Sequence, residues 1–363
     1  MRRILFVYDG KMNRRGCDLD THHMLEALSR HGDSIDLISR GRVTQPGVHC
    51  HVAWYNPAKV LSNAPSPVYA GARRRFLGWL GVRQLRRQNY DIVMAWGKQA
   101  ASLFAEARDQ GIRTILHAGN LHVDSRRPEA HPPRWPAIGH DALRREYELA
   151  DWIMVPSDFC RDSFLQHGLP ENKVIRVERG ADLDAFAPPQ TPAPGYRVLF
   201  CGRVCERKGA RQVYEAWKEA AIPGSELWYV GPIDNDLKSW AASVSSEQVQ
   251  FMGHRDDLPD LMRRCQVQVL LSDNEGLAKS LIEGSVSGLV PIITPETGLP
   301  IQPGIHGFQV QRSDRFQAVQ ALKSLAHDRD QLHRMSTAVA DWSRQHYNWE
   351  RFYRDFLASP ALV

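Results

Sequence analysis

The 363-residue chain has no C-x-x-C pair among its six cysteines; only Cys201 and Cys205 stand close together, and Cys17, Cys50, Cys160 and Cys265 are scattered. That spacing gives neither a zinc framework nor a disulfide scaffold, and it fits reduced thiols in a cytoplasmic compartment. No apolar run approaches the roughly 18 residues that a membrane-spanning helix needs. The opening stretch Met1 to Tyr8 has a basic flank, but its apolar run ends at Asp9, too short for the core of a secretion signal, and it reads as a first buried strand. Neither the dinucleotide fingerprint G-x-G-x-x-G nor a Walker loop occurs, which argues against a nicotinamide oxidoreductase and a P-loop enzyme. Asp234-Asn235-Asp236 has the form of an Asp-x-Asp metal motif but reads as a loop, so no required metal is expected.

What is present is a globular composition, 24% charged and 43% hydrophobic, on a chain longer than one core usually serves. Two domains are expected. The net charge of +5 is unevenly spread: residues 1–190 carry 27 Lys and Arg against 21 Asp and Glu, and residues 191–363 carry 19 against 20. Within the basic half, residues 73–87 place Phe76, Leu77, Leu80 and Val82 among six arginines, with Trp79 beside them. As a helix this segment is amphipathic, either packing its apolar stripe on a sheet or touching anionic lipid. No nucleic-acid-binding module accompanies it, so no nucleic acid partner is expected.

Apolar strand-like runs alternate with helical segments: Ile4–Tyr8, Ser34–Ile38, Asp91–Trp96, Arg113–His117, Ile153–Pro156 and Lys173–Glu178. That is the pattern of a parallel sheet covered by helices. The proline-rich stretch Ala187 to Gly195 sustains neither helix nor central strand and reads as a linker. After it the alternation resumes with Arg197–Cys201, Glu226–Val230, Val249–Met252, Val267–Leu271 and Val290–Ile293. Two doubly wound α/β domains follow, with chemistry expected in the loops at the carboxyl ends of strands.

Two segments carry the chemistry. In Leu271-Ser272-Asp273-Asn274-Glu275-Gly276-Leu277-Ala278-Lys279-Ser280-Leu281-Ile282-Glu283, an apolar strand runs through a polar turn into a helix. Glu275 would lie in the turn and Glu283 about one turn inside the helix, with the amides of Gly276, Leu277 and Ala278 unpaired at a helix start that favours anions. Taken alone, these are equally surface charges flanking a helix. In Val198-Leu199-Phe200-Cys201-Gly202-Arg203-Val204-Cys205-Glu206-Arg207-Lys208-Gly209, a strand enters a basic turn where Arg203 and Lys208 suit a diphosphate, the first as a fork and the second as a point charge. Solvated turn charges are the competing reading.

Together the segments resemble the retaining glycosyltransferases of family 4, whose signature pairs a strand-Gly-Arg...Lys-Gly turn with a Glu-x7-Glu motif. Gly288-Leu289-Val290-Pro291-Ile292-Ile293, Thr297-Gly298-Leu299-Pro300, Ala150-Asp151-Trp152-Ile153-Met154-Val155-Pro156-Ser157 and Gly180-Ala181-Asp182 follow that family's order, and the resemblance covers nearly the whole chain. It implies the GT-B fold, two Rossmann-like domains facing a central cleft: residues 1–187 for the acceptor, a linker at 188–196, residues 197–345 for the nucleotide sugar, and a final helix, 346–363, returning to the first domain. It implies a retaining hexosyl transfer from a nucleotide-diphosphate sugar, with UDP the first expectation and GDP the second, to a glycan, lipid-linked or small-molecule acceptor. A noncatalytic nucleotide-sugar binder, or a hydrolase or epimerase of the same fold, is the alternative.

Residue by residue, the resemblance assigns the diphosphate to Arg203 and Lys208, the ribose hydroxyls to Glu283 and the donor-sugar side to Glu275. The active-site histidine matches His117, at the end of an apolar run, and Gly253 and His254 border the base. His122 and Asp124 lie near His117 in sequence, but H-x4-H-x-D in a loop is a poor metal pattern. The chain departs from the family in its first loop, Asp9 to Gly16, which is long and basic. There Gly16 is expected near the donor, and Lys11, Arg14 and Arg15 are candidates for an acidic acceptor. Ala278 stands where many relatives have Gly or Pro. The protein is expected in the cytoplasm, with peripheral contact to an anionic membrane through residues 73–87.

Overall fold

Strands of two to six residues pair side by side into two parallel sheets, the central ones mostly apolar because strands covered on both faces need apolar side chains throughout. The computed structural model describes residues 1–13, 16–53, 66–125, 140–191 and 193–363. Its chain divides into two compact units, the first taking in the N-terminal residues through Glu178 together with Phe352–Val363, the second Arg179–Arg351.

The N-terminal unit holds β1 (Arg3–Val7), α1 (Cys17–Arg30), β2 (Ser34–Ser39), β3 (Val48–Val52), α2 (Ser66–Leu85), β4 (Ile92–Trp96), α3 (Ala101–Asp109), β5 (Arg113–His117), α4 (His140–Leu149), β6 (Trp152–Val155), α5 (Asp158–Leu165) and β7 (Val174–Arg176). Its seven strands lie in the order β3-β2-β1-β4-β5-β6-β7. Leu5, Val7, Val93, Leu116 and Ile153 on the strands pack with Leu77, Leu103, Phe104 and Phe164 on the helices, all buried.

The C-terminal unit holds β8 (Tyr196–Cys201), α6 (Ala210–Ala220), β9 (Ser225–Val230), α7 (Lys238–Val244), β10 (Val249–Phe251), α8 (Leu258–Arg263), β11 (Val267–Leu270), α9 (Lys279–Val286), β12 (Val290–Ile293), β13 (Phe308–Gln309), α10 (Arg315–His327) and α11 (Arg329–His346). Its six strands run β10-β9-β8-β11-β12-β13. The last helix, α12 (Trp349–Leu357), crosses the division between the units. Its Phe352 and Phe356 stack at 5.5 Å, and the hydroxyl of Tyr353 donates to Glu26 of α1. These rings are packing groups. No helix among the described residues is long and apolar enough to cross a membrane.

One buried carboxylate organises the edge of the N-terminal unit. Helix α3 has no side chain of its own capping its start. Glu146, on α4 and almost wholly buried, supplies the acceptors instead: Oε2 takes the amide of Lys98 and Oε1 that of Ala100, both at 2.7 Å. Burial pushes this carboxyl up to about 7 against the pull of those amides toward the ionised form. Replacing it leaves two inward-facing donors without a partner, and Glu146→Ala is expected to lower the unfolding free energy by about 2 kcal/mol, read as a fall in the urea midpoint. Since its folded pKa lies above the unfolded value, the folded state holds a proton that the unfolded chain releases. Stability from this group therefore falls as pH rises from about 4.5 through 7, and Glu146→Gln removes that slope.

Candidate functional site

In each sheet the chain winds outward one way and then restarts in the other, so the strand order reverses between β1 and β4 and between β8 and β11. Ligands of open parallel sheets bind at the carboxyl ends of strands beside such reversals. In the C-terminal unit that position is occupied by the turn after β8 and the turn between β11 and α9. The two are pressed together at Gly209, which has a left-handed φ of 73° and an α-carbon so near the end of β11 that a Cβ would lie 2.3 Å from the Leu271 carbonyl oxygen. Backbone contact continues from there: the Asp273 amide donates to the Arg207 carbonyl at 2.8 Å, and the Ser272 hydroxyl donates to the same carbonyl at 3.2 Å.

This contact delivers two cations to one carboxylate. Lys208 Nζ lies 2.7 Å and Arg207 Nη1 2.8 Å from Oε1 of Glu275, and Arg207 also donates to the Asn274 carbonyl. The Glu275 side chain is only 16% exposed. Burial raises its pKa, but the Lys208 ammonium and the Arg207 guanidinium outweigh burial and hold the carboxyl below the ordinary range. It stays ionised through neutral pH. Ser280 Oγ donates to the Cys201 carbonyl at 2.9 Å, tying the first turn of α9 to the end of β8.

The structure thus unites Lys208 and Glu275, as the motif suggests, while Arg203 turns away to Asp234 at 2.9 Å with a side chain 60% exposed. The sequence reading passed over Arg207; its only signal was its place beside Lys208 in the basic turn. Glu283 lies inside α9 and pairs with Lys279 at 3.4 Å. Leu277 and Ala278 are buried. One expectation is corrected: the Ala278 amide is not left unpaired at the helix start, because α9 begins at Lys279 and Ala278 donates to the Thr297 carbonyl at 3.0 Å. The turn after β12 reaches this backbone and satisfies it. Gly253 follows β10, its carbonyl accepting from the Gly231 amide at 2.7 Å, and the exposed His254 lies 3.6 Å from Asp256.

The remaining site candidates belong to the N-terminal unit. His117 ends β5, buried, with its ring stacked 5.2 Å from Trp96 and tilted against Phe356 at 6.5 Å. Gly16 precedes α1 with φ 53° and open space where a Cβ would stand. Lys11 is exposed, and Arg14 and Arg15 fall outside the described residues. His122 and Asp124 gather with His167, not with His117, their ligand-type atoms within 4.8 Å of one another. There Arg144 grips both oxygens of Asp124 at 2.6 and 2.9 Å, and the imidazoles of His122 and His167 stack at 4.2 Å, so the cluster is already cross-braced as a packing unit.

Helix α2 divides the basic segment by face. Leu77 and Leu85 enter the core, Arg73 and Arg74 turn to Asp9, and Arg86 pairs with Glu106. Arg75, Trp79 and Arg83, four residues apart, form an exposed row, with Arg83 over the Trp79 ring.

Comparison with known proteins places both halves together. Residues 20–185 match the family described as Glycosyltransferase Family 4, and residues 195–328 match Glycosyl transferases group 1. A curated relative, GDP-mannose:cellobiosyl-diphosphopolyprenol alpha-mannosyltransferase of Xanthomonas campestris, is 29% identical over 224 residues; the match takes in 57% of this chain and 56% of that protein. The chain therefore spans little more than half the length of that relative. Among solved structures, sucrose-phosphate synthase of Thermosynechococcus elongatus superposes with a TM-score of 0.79 at 17% identity over 98% of this chain and 97% of its own. The HepE protein of Anabaena, in complex with UDP and glucose, superposes with a TM-score of 0.76 at 15% identity over the whole of both chains. At those identities they are similar in fold alone, and the fold is GT-B. With a parallel-sheet unit on either side of residue 190, family matches to both, and the strand-Gly-Arg...Lys-Gly and Glu-x7-Glu motifs at the strand-order reversal, the chain belongs to glycosyltransferase family 4.

Proposed function

We propose that the protein transfers a hexose, with retention of anomeric configuration, from a nucleoside-diphosphate sugar to a lipid-linked glycan. The observation that carries this reading is the convergence of Lys208 and Arg207 on the partly buried Glu275 at the reversal of strand order. A leaving nucleoside diphosphate gathers negative charge as its bond to the sugar breaks, and fixed cations in a partly desolvated site stabilise it there. Lys208, Arg207 and Arg203 take that role, with no metal required. Glu283 accepts from the ribose hydroxyls, Gly253 and His254 border the base, and Gly276, Leu277 and Ala278 flank the donor. From the N-terminal unit, His117 serves the sugar and Gly16 lets the first loop approach the donor.

The acceptor hydroxyl attacks the anomeric carbon on the face the diphosphate leaves. The new C–O bond forms as the sugar–phosphate bond breaks through an oxocarbenium-like state, and the acceptor proton passes to the departing phosphate oxygen. Glu275, kept ionised by its cations, is unsuited to donate a proton and acts by its charge. The donor named for the curated relative moves GDP-mannose ahead of UDP, which stood first on sequence grounds, and the UDP of the Anabaena structure keeps uridine in contention. The relative's acceptor and the basic N-terminal half support a lipid-linked substrate, and the row Arg75, Trp79 and Arg83 suits peripheral contact with an anionic cytoplasmic membrane face.

A thermal-shift panel of GDP, UDP, ADP, CDP and dTDP, with EDTA and with magnesium, tests the donor. At about 100 times its dissociation constant one base should add roughly 2.7 kcal/mol of stability, unaffected by EDTA and lost in Arg203→Ala/Lys208→Ala. No response to any base would remove the transferase reading. For turnover, Lys208→Ala is expected to lower kcat by about a hundredfold. Arg207→Gln should leave Glu275 partly uncompensated against burial, so the acid limb of kcat/KM moves up toward the ordinary carboxylate range; a profile identical to wild type would refute the Arg207 role. Vesicles containing anionic lipid should sediment the protein at low salt and release it at high salt, and Arg75→Gln/Arg83→Gln should weaken that binding.

A further inference from the structure

A second charged cluster, apart from the donor-side residues, lies where β1 and β2 end. Asp9 follows β1 and Arg40 follows β2, and the two turns touch: the Arg40 amide donates to the Gly10 carbonyl at 3.0 Å. Glycine at position 41 permits this approach, since a Cβ there would lie 1.9 Å from the Lys11 carbonyl oxygen. Helix α2 brings Arg73 and Arg74 to the same place. Arg73 holds Asp9 with two parallel bonds, Nε to Oδ1 at 2.8 Å and Nη2 to Oδ2 at 2.7 Å. Arg40 Nε lies 2.9 Å from Oδ1, and Arg74 Nε 3.3 Å from Oδ2. The Tyr69 ring lies under the Arg73 guanidinium at 5.3 Å.

One bidentate arginine neutralises a carboxylate. Here three guanidiniums, their side chains 14 to 30% exposed, face one carboxylate that is 9% exposed. Two positive charges remain over, partly withdrawn from water and repelling each other, an arrangement that costs stability unless an anion joins it. Of the other acidic groups nearby, Glu146 feels Arg74 but is spent on the amides that start α3, and Asp18, beside Gly10, accepts from the Tyr8 hydroxyl and the Asn13 amide. The cluster also stands at the carboxyl end of β1, beside the reversal between β1 and β4 where a ligand is expected.

We infer that Arg40, Arg73 and Arg74 form a phosphate-binding subsite that holds the anionic group of the acceptor. The planar forks of arginine match phosphate oxygens, and Asp9 keeps Arg73 aimed while lowering the repulsion among the three. The acceptor role rests on the proposed transferase activity; the anion site itself does not. Two sources present the same chemistry, the diphosphate joining a glycan to a lipid and the phosphate of a soluble sugar phosphate.

Inorganic diphosphate titrated calorimetrically into the Arg203→Ala/Lys208→Ala protein reads this site with the donor side disabled. One site is expected, weakened roughly tenfold by adding Arg40→Gln or Arg74→Gln. Asp9→Asn removes the competing carboxylate and should bind diphosphate more tightly; ion pairs serving the fold alone would give a less stable protein with no gain in binding. In transfer assays, Arg74→Gln should raise KM about tenfold for whichever acceptor carries the recognised phosphate, the lipid-diphosphate glycan or the sugar phosphate, and leave KM for a phosphate-free alkyl glycoside unchanged. Diphosphate binding that is absent or equal in all variants, or a KM that rises equally for the alkyl glycoside, overturns the inference. If the transferase reading fails, the calorimetric result still decides the subsite; if the subsite fails, transfer proceeds with KM unaltered in the variants.

Discussion

A carboxylate taken out of water has to be matched by positive charge or by donors, and around Glu275 that requirement shapes the whole ligand edge of the C-terminal unit. The match comes from residues 68 and 67 positions earlier in the chain, so the turn after β8 must reach the turn after β11. Gly209 makes the approach sterically possible, and the Arg207 carbonyl is then fixed by two donors from Ser272 and Asp273. The turn after β12 joins the same assembly: Thr294 Oγ1 donates to the Ser272 carbonyl at 2.6 Å, and the Glu275 amide to the Glu296 carbonyl at 2.8 Å. The ends of β8, β11 and β12 are thereby tied together around the Ser272–Glu275 turn, the kind of rigidity that a charge-stabilising site needs.

The N-terminal unit meets the same requirement in two other ways. Glu146 is matched by amides rather than by a cation, and amides alone do not offset its burial, so its carboxyl titrates near neutrality. Asp9 is matched in excess, by three arginines. The three cases differ in what a ligand would find: a carboxylate shared by two cations, with one positive charge over, a neutralised cap that belongs to the fold, and a larger surplus of positive charge. Sorting buried carboxylates by the sign of what remains separates structural groups from binding groups more sharply than sorting them by burial.

How much of this was legible depended on whether a feature is local. Central strands such as β1, β4, β8 and β12 announce themselves as apolar runs because both their faces are covered. The edge strand β3, Val-His-Cys-His-Val, alternates polar and apolar residues, and β13 spans two residues, so neither rises above loop composition. The candidate residues were visible as residue types at a spacing, and Lys208 and Glu275 do lie together. Which arginine accompanies them was not, because a 3₁₀ turn ending in a left-handed glycine decides that Arg207 faces inward and Arg203 outward. The fate of the Ala278 amide was equally hidden, since its partner, Thr297, lies on a turn that only sheet pairing brings near. The six arginines of 73–87 looked like one patch; on the helix and the turn that follows it they split among Asp9, Glu106 and solvent.

The Lys208 and Arg207 pairing also bears on why a carboxylate belongs beside the transferred sugar in the proposed reaction. A diphosphate drawing those cations toward itself takes away part of what offsets the burial of Glu275, leaving an ionised group less compensated than before. The charge that restores the balance is the one that develops on the sugar as the glycosidic bond breaks. An interaction of that kind is weak with the ground-state donor and strong at the oxocarbenium-like state, so it lowers the barrier without deepening the well of the bound donor. The same exchange assigns the two acidic residues of the Glu-x7-Glu motif to different tasks. In that reaction Glu283, on the helix and 3.4 Å from Lys279, is the proposed acceptor for the ribose hydroxyls. In the proposed reaction Glu275 spends its charge on the transition state.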